Sequence, residues 1–388
     1  MNQVAKYCMW VVVSCLFFQV PVHSEVVRWS GFGSITGGFI DESHTFRNSD
    51  YTEDFEFKTD SKLALQADID LEERLSATVQ LLAKGDNDFE PKFEWAYITY
   101  DVVPDFSLRA GRLRAPFYSY SDYLDVGYAQ PFSSPPKTMY SISFSSYDGL
   151  SLLHNTYIRD WDILTNLFYG SVTETLFGRT TPTDGKLEHM YGINTQASLD
   201  WFSVYIAFTN ADVVIPIAVI EGNADDLVTA GASAEAASKL RIDGDEGTFL
   251  AGGFTIDYEN WIVGAEASKL EVKNALFPEN SSWYLLLGYR FGDFQPYIMY
   301  EETETDRNTS TASVFPDALQ PTVQGAFDSQ EFEYYATSIG LRYDFHPSAA
   351  LKVQYTRFDD IVDLTSDFGT FDIKEDLHQL TVGVDFIF

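Results

Sequence analysis

Basic residues are scarce in this chain. Its 25 Lys and Arg stand against 58 Asp and Glu, a net charge of −33 over 388 residues. Binding a phosphate backbone needs a basic patch, so nucleic acid is excluded as a partner. Cysteine is scarcer still: Cys8 and Cys15 are the two present, and both fall within the first 24 residues. The remainder therefore has no disulfide framework, no thiolate nucleophile and no cysteine metal site. Beyond the N-terminal region no uninterrupted apolar run reaches about 18 residues, which excludes a membrane-spanning helix. Histidine after residue 24 is limited to His44, His154, His189, His346 and His378. No G-x-S-x-G elbow, H-E-x-x-H pair, Walker loop or Rossmann fingerprint occurs. Ser151 lies near His154, but the spacing makes a poor nucleophile–base pair. We assign no catalytic residue, no metal ligand and no cofactor, and expect the chain not to be an enzyme.

What is present begins with Met1 to Ser24. Lys6 supplies a positive n-region, Tyr7 to Val20 an apolar core, and Val22-His23-Ser24 a small-residue end. This reads as a secretory signal peptide, with the mature chain starting at Glu25. An acidic disordered protein would carry few aromatics. Here 16% of residues are Phe, Trp or Tyr, so the chain folds.

The dominant pattern is strict alternation. In Leu377 to Phe388, LHQLTVGVDFIF, the residues Leu380, Val382, Val384, Phe386 and Phe388 share one face. Gln379, Thr381, Gly383, Asp385 and Ile387 share the other, mostly polar, face. The same dyad recurs upstream in Leu63 to Leu71, Leu75 to Leu81, Trp283 to Phe291 and Tyr335 to Phe345. Strands pair around short turns such as Glu72-Glu73, Val103-Pro104-Asp105, Arg159-Asp160, Asp200-Trp201, Glu259-Asn260, Gly292-Asp293 and His346-Pro347. Long polar loops, among them 114–147, 211–246 and 303–330, alternate with these turns. The tally is about 16 strands. Phe93 to Tyr100 and Leu150 to Tyr157 have a broken dyad and fit either facing. Asp225 to Leu240 is Ala-rich and fits a short helix within the longest loop.

Backbone polar groups at bilayer depth must all be paired, so a closed barrel is the spanning structure such strands allow. Apolar residues then face lipid, aromatics near strand ends form interfacial girdles, and the polar faces line a lumen too wide for side chains to fill. The expected fold is all-β: a transmembrane antiparallel β-barrel over 25–388, with long loops on one side and short turns on the other.

The terminal alternation ending in Phe386 and Phe388 resembles the assembly signature of Gram-negative outer-membrane barrels. The overall plan resembles the Gram-negative porins, of general-diffusion and phosphate-selective types. In those families the third long loop folds into the barrel and narrows it. Here GRLRAPF and the aromatic segment after it look like that strand-to-loop junction, making 114–147 the constriction loop. The resemblance places Tyr120, Asp122 and Asp125 on that loop, with Arg109, Arg112 and Arg114 as the facing wall. Alternation alone sets Arg112 and Arg114 on one face and Arg109 on the other, so all three line the pore only if Gly111 marks a bulge. It also turns Lys62, Lys84, Glu266, Arg290, Arg342 and Lys352 inward. Much of the acidity, from Glu301-Glu302 onward and at Asp359-Asp360, is expected in loops, where divalent cations bridging lipopolysaccharide would meet it.

These readings imply an outer-membrane porin passing ions and small hydrophilic solutes passively. Membrane lipid, lipopolysaccharide, the barrel assembly machinery and, by resemblance, two further copies in a homotrimer are its partners. A substrate-selective channel with a saturable anion or phosphate site is the alternative. A non-conducting adhesin or structural barrel is a third reading.

Overall fold

The computed structural model of the protein describes residues 26–41, 51–176, 183–273, 279–306, 312–328, 333–363 and 372–388. Residues 1–24, expected from the sequence to be a signal peptide, and His44 lie outside the described residues.

Sixteen strands form one closed antiparallel sheet in sequence order. The first five are β1 (Val27–Ile40), β2 (Lys62–Glu72), β3 (Leu75–Lys84), β4 (Lys92–Val103) and β5 (Phe106–Arg114). Then come β6 (Ser146–Ile158), β7 (Trp161–Leu176), β8 (Thr183–Leu199), β9 (Phe202–Val214), β10 (Asp243–Tyr258) and β11 (Trp261–Val272). The last five are β12 (Glu279–Tyr289), β13 (Phe294–Asp306), β14 (Glu333–His346), β15 (Ala349–Asp363) and β16 (Asp372–Ile387). β1 closes on β16, with Phe32 opposite Ile387 and Ile40 opposite Gln379. Phe388 adds a backbone pair, its N–H donating to Gly31 O at 3.0 Å and its carbonyl accepting from Gly31 N–H at 2.9 Å. A Cβ on Gly31 would stand 2.3 Å from the Phe388 ring, so glycine there makes room for the terminal aromatic.

The dyad reads as expected. On β12, Trp283, Leu285, Leu287 and Tyr289 are exposed on the outer face, while Ser282, Tyr284, Leu286 and Gly288 are buried inside. A soluble sheet would bury the apolar set. Exposing it all round a closed barrel is the arrangement a bilayer stabilises. Among the described residues no helix is long and apolar enough to cross a membrane.

Three departures have local causes. Leu81 pairs with Phe93 where Gln80 pairs with Trp95, a bulge that turns Glu94 inward and breaks the β4 dyad. Register shifts between Gly170 and Val172 and between Glu188 and Tyr191 hide the outer thirds of β7 and β8, which run past the alternating stretches. The Ala-rich segment forms two helices, α1 (Ala218–Thr229) and α2 (Ala234–Ser238). Gly231, at φ +106°, separates them, and Ser233 caps the second by accepting from Ala236 N–H at 3.0 Å. A third helix, α3 (Gln320–Asp328), lies in a segment that reads as plain loop. Ala224, Ala236, Ala237 and Leu240 pack with Ala312, Phe315 and Val323, joining these two long loops.

The inner face is not uniformly polar. Met190, Phe168, Phe249, Tyr284, Leu286, Tyr297 and Met299 form one buried cluster with Phe117, Tyr118, Phe132, Met139 and Phe144 of the 114–147 loop. The loop lies inside the barrel and needs apolar surface to pack on. Each fully buried Phe or Met contributes about 1.5–3 kcal/mol.

Candidate pore constriction

The loop enters the lumen at the end of β5. It makes two short 3-10 turns, Ser121–Tyr123 and Gly127–Ala129, before rejoining the wall at β6. It reaches the short-turn end, where Tyr128 donates to Pro347 O in the β14–β15 turn at 2.8 Å.

Charged and amide side chains on the walls hold it. Asp125, on the loop, is 6% exposed. It meets Lys84 at 2.9 Å, Arg114 at 3.0 Å and Lys62 at 3.6 Å. Arg114 also pairs with the bulged Glu94. Burial pushes the Asp125 carboxyl up, but Lys84, Arg114 and Lys62 outweigh it and hold the group well below the usual carboxylate range. Further along the same wall, on β15, Lys352 contacts Asp385 at 2.7 Å and donates to Gly127 O at 2.6 Å and Phe132 O at 2.9 Å. Arg342 donates to Tyr128 O at 2.6 Å and Gln130 O at 2.9 Å and lies over the Tyr128 ring. Glu266 accepts from Ser119 N–H at 2.9 Å, Ser119 Oγ at 2.7 Å and the Tyr140 hydroxyl at 2.7 Å. Glu301 accepts from Thr138 N–H at 3.1 Å and Oγ1 at 2.7 Å. Gln354 accepts from Ser133 N–H at 3.1 Å and the Tyr297 hydroxyl at 2.7 Å. Loop carbonyls and amides that would otherwise be orphaned in a confined space are paired in this way.

The structure brings together Arg114, Asp125, Lys62 and Lys84. It separates the three arginines. Gly111 has φ +135°, yet the ladders to β4 and β6 pass it without a register shift. Arg109 therefore sits on the inner face beside Tyr97, its guanidinium 5.2 Å from that ring centre. Arg112 sits opposite Asp148, 3.6 Å away, on the face that carries the exposed Leu150. The ladders thus lack the bulge at Gly111 on which an inward facing of all three depended. Tyr120 is buried, stacked 6.0 Å from Tyr140, whereas Asp122 is exposed. Lys62, Lys84, Glu266, Arg342 and Lys352 all face inward and touch the loop rather than lining free water. Arg290 faces inward without touching it and pairs with Asp257 through both nitrogens. Phe386 and Phe388 stack on the outer face, 6.3 Å apart.

Glu301 was expected among loop acids. It lies within β13, buried, on the side of Tyr297 and Met299. The alternation of Ile298 and Tyr300 outward already pointed to this. Gln354 lay on the inward parity of β15 with Lys352. Nothing in the sequence marks the loop carbonyls that the lysine and arginine grip.

Beneath the loop, toward the short turns, lies a cavity of about 400 Å³ between the Tyr120–Pro131 segment and the walls from β8 to β14. Two ion pairs border it, Arg290–Asp257 and Arg342–Asp344. Among the described residues no group of three or more His, Cys, Asp or Glu side chains is arranged to hold a metal ion.

No family model matches the chain, and no curated protein does. Solved structures do match over nearly its whole length. OmpT, an outer membrane protein of Vibrio cholerae, superposes in its trimer form with a TM-score of 0.57 at 11% identity, covering 94% of this chain and 100% of that one. An anion-selective porin from Comamonas acidovorans gives 0.58 at 11% identity, covering 94% and 100%. The outer membrane channel DcaP of Acinetobacter baumannii gives 0.57 at 13% identity, covering 94% and 98%. At these identities the likeness is one of fold: the chain is a sixteen-stranded barrel built like outer-membrane porins.

Proposed function

We propose that this protein is an outer-membrane channel of a Gram-negative bacterium, passing ions and small hydrophilic solutes by passive diffusion. The observation that carries the reading is a closed barrel, apolar outside, with a loop drawn into its lumen by paired charges. Residues 1–24 act as the export signal. Phe388 and Phe386 serve recognition by the barrel assembly machinery, and lipopolysaccharide surrounds the long-loop end. A homotrimer is the expected assembly, as OmpT has a trimer form. Solute flow is limited by the passages beside the loop, so Arg114, Asp125, Lys62 and Lys84 set the field there.

An anion-selective channel is the second reading, and Arg109 favours it. Among the described residues this inward arginine has no carboxylate partner. Single-channel conductance and reversal potential of the refolded mature protein under a KCl gradient test both readings. Small, ion-conducting steps support the channel, and a strong anion preference supports the second form. Absence of any conductance from well-folded protein would sink both.

A further inference from the structure

The cavity beneath the loop has features of a ligand site rather than of passive space. Its volume of about 400 Å³ lies within the range of small-molecule pockets. Its charges cancel in place. Arg290 holds Asp257 in a two-point pair, and Arg342 donates Nε to Asp344 at 2.8 Å. A net anion would meet two carboxylates there, and a net cation two guanidinium groups already committed. A neutral group with both donor and acceptor character fits. A vicinal diol can donate to a carboxylate oxygen while accepting from the neighbouring guanidinium.

Two carboxamides reinforce the point. Gln196 on β8 and Gln295 on β13 both border the cavity, and Gln295 is 6% exposed. Neither side chain has a hydrogen-bond partner among the described residues, although other inward amides such as Gln66, Gln80 and Gln354 are all engaged. A carboxamide offers a donor pair and an acceptor side by side, the complement of an uncharged polyol. The Tyr123 ring, 37% exposed, supplies an aromatic surface of the kind on which the apolar face of a sugar ring packs.

From this geometry we infer that the cavity is a binding subsite for a neutral polyhydroxylated solute of mono- or disaccharide size. The inference deepens the channel reading by naming a solute class, and rests on it only for the solute's passage, not for its binding.

The test is equilibrium binding of maltose and sucrose to the refolded full-length barrel, followed by titration calorimetry, with inorganic phosphate and free lysine as charged probes. Saturable sugar binding is expected, with no comparable binding of either charged probe. Gln196→Ala and Gln295→Ala should each weaken sugar binding by roughly tenfold, the loss of one well-placed hydrogen bond. The heat-modifiable migration of both variants should match the parent's, showing a folded barrel. No sugar binding, tighter binding of phosphate, or a double variant that binds sugar like the parent would each overturn the subsite. Conductance measured in parallel separates the two ideas. A conducting barrel without sugar binding removes the subsite alone, and a sugar-binding barrel without conductance removes the channel.

Discussion

Replacing Asp125 with asparagine keeps the side chain's shape and removes one buried negative charge. In the parent, the three cations Lys62, Lys84 and Arg114 face two carboxylates, Asp125 and Glu94. In the variant the same three cations face Glu94 alone. Removing one partner from a buried, hydrogen-bonded ion cluster leaves uncompensated charge and costs about 3–5 kcal/mol. Part of that loss should appear as detachment of the loop from the β2–β5 wall, because Asp125 is its link to Lys62 and Lys84. Two readouts follow. Denaturant unfolding should show a lower midpoint, and bilayer recordings should show larger conductance with reversal potential displaced toward anions. The pH dependence adds a signed check. The Asp125 carboxyl titrates lower in the folded barrel than in the unfolded chain. Its stabilisation is therefore fully present above the unfolded value of about 4 and is lost as pH falls toward the depressed folded value. Parent and variant stabilities should converge in strong acid and diverge as pH rises through that window. Curves that stay parallel, or a reversal potential that does not move, would refute the assignment of Asp125 as the loop's charged link.

Two further substitutions probe the other side of the loop. Glu266→Ala removes the acceptor of three loop hydrogen bonds and should raise conductance and its noise, whereas Glu266→Gln, which keeps the acceptor oxygen, should stay closer to the parent in the same recordings. Gly340→Val would place its Cβ 2.2 Å from the Tyr297 hydroxyl and displace the ring whose hydroxyl donates to Gln354. Overpacking of that kind costs about 1–3 kcal/mol and should lower the thermal midpoint of the folded band on gels.

Strand number, ring closure and outer face were legible because period-two alternation and interfacial aromatics are written residue by residue. Trp283, Leu285 and Leu287 could point no other way once the barrel was accepted. Bulges were not legible. Glu94 turns inward because β4 gains a residue against β3, and no local composition signals that. Parity identified Lys352 and Arg342 as inward, yet their role as anchors depends on the carbonyls of Gly127, Phe132, Tyr128 and Gln130, which are common to any sequence. The same holds for the apolar interior. Leu286 and Met299 sit at inward positions where water was expected, and only the packed loop explains them. Alternation left the facing of Arg109 against Arg112 conditional on a bulge at Gly111, and only the ladders, which carry no shift there, decide it.

The pairing of Phe388 with Gly31 bears on the order of folding. Ser34 donates to Asp385 across 351 residues of chain. Closing such a span costs about 3 kcal/mol more in chain entropy than closing a hairpin of about 15 residues. Every other strand pair joins sequence neighbours, so this seam has the highest contact order and is the natural last step. Until it forms, β1 and β16 present two free edges, each able to template the wrong partner. The terminal aromatic over a bare glycine thus marks where a linear process becomes a ring, and where mispairing has its longest opportunity.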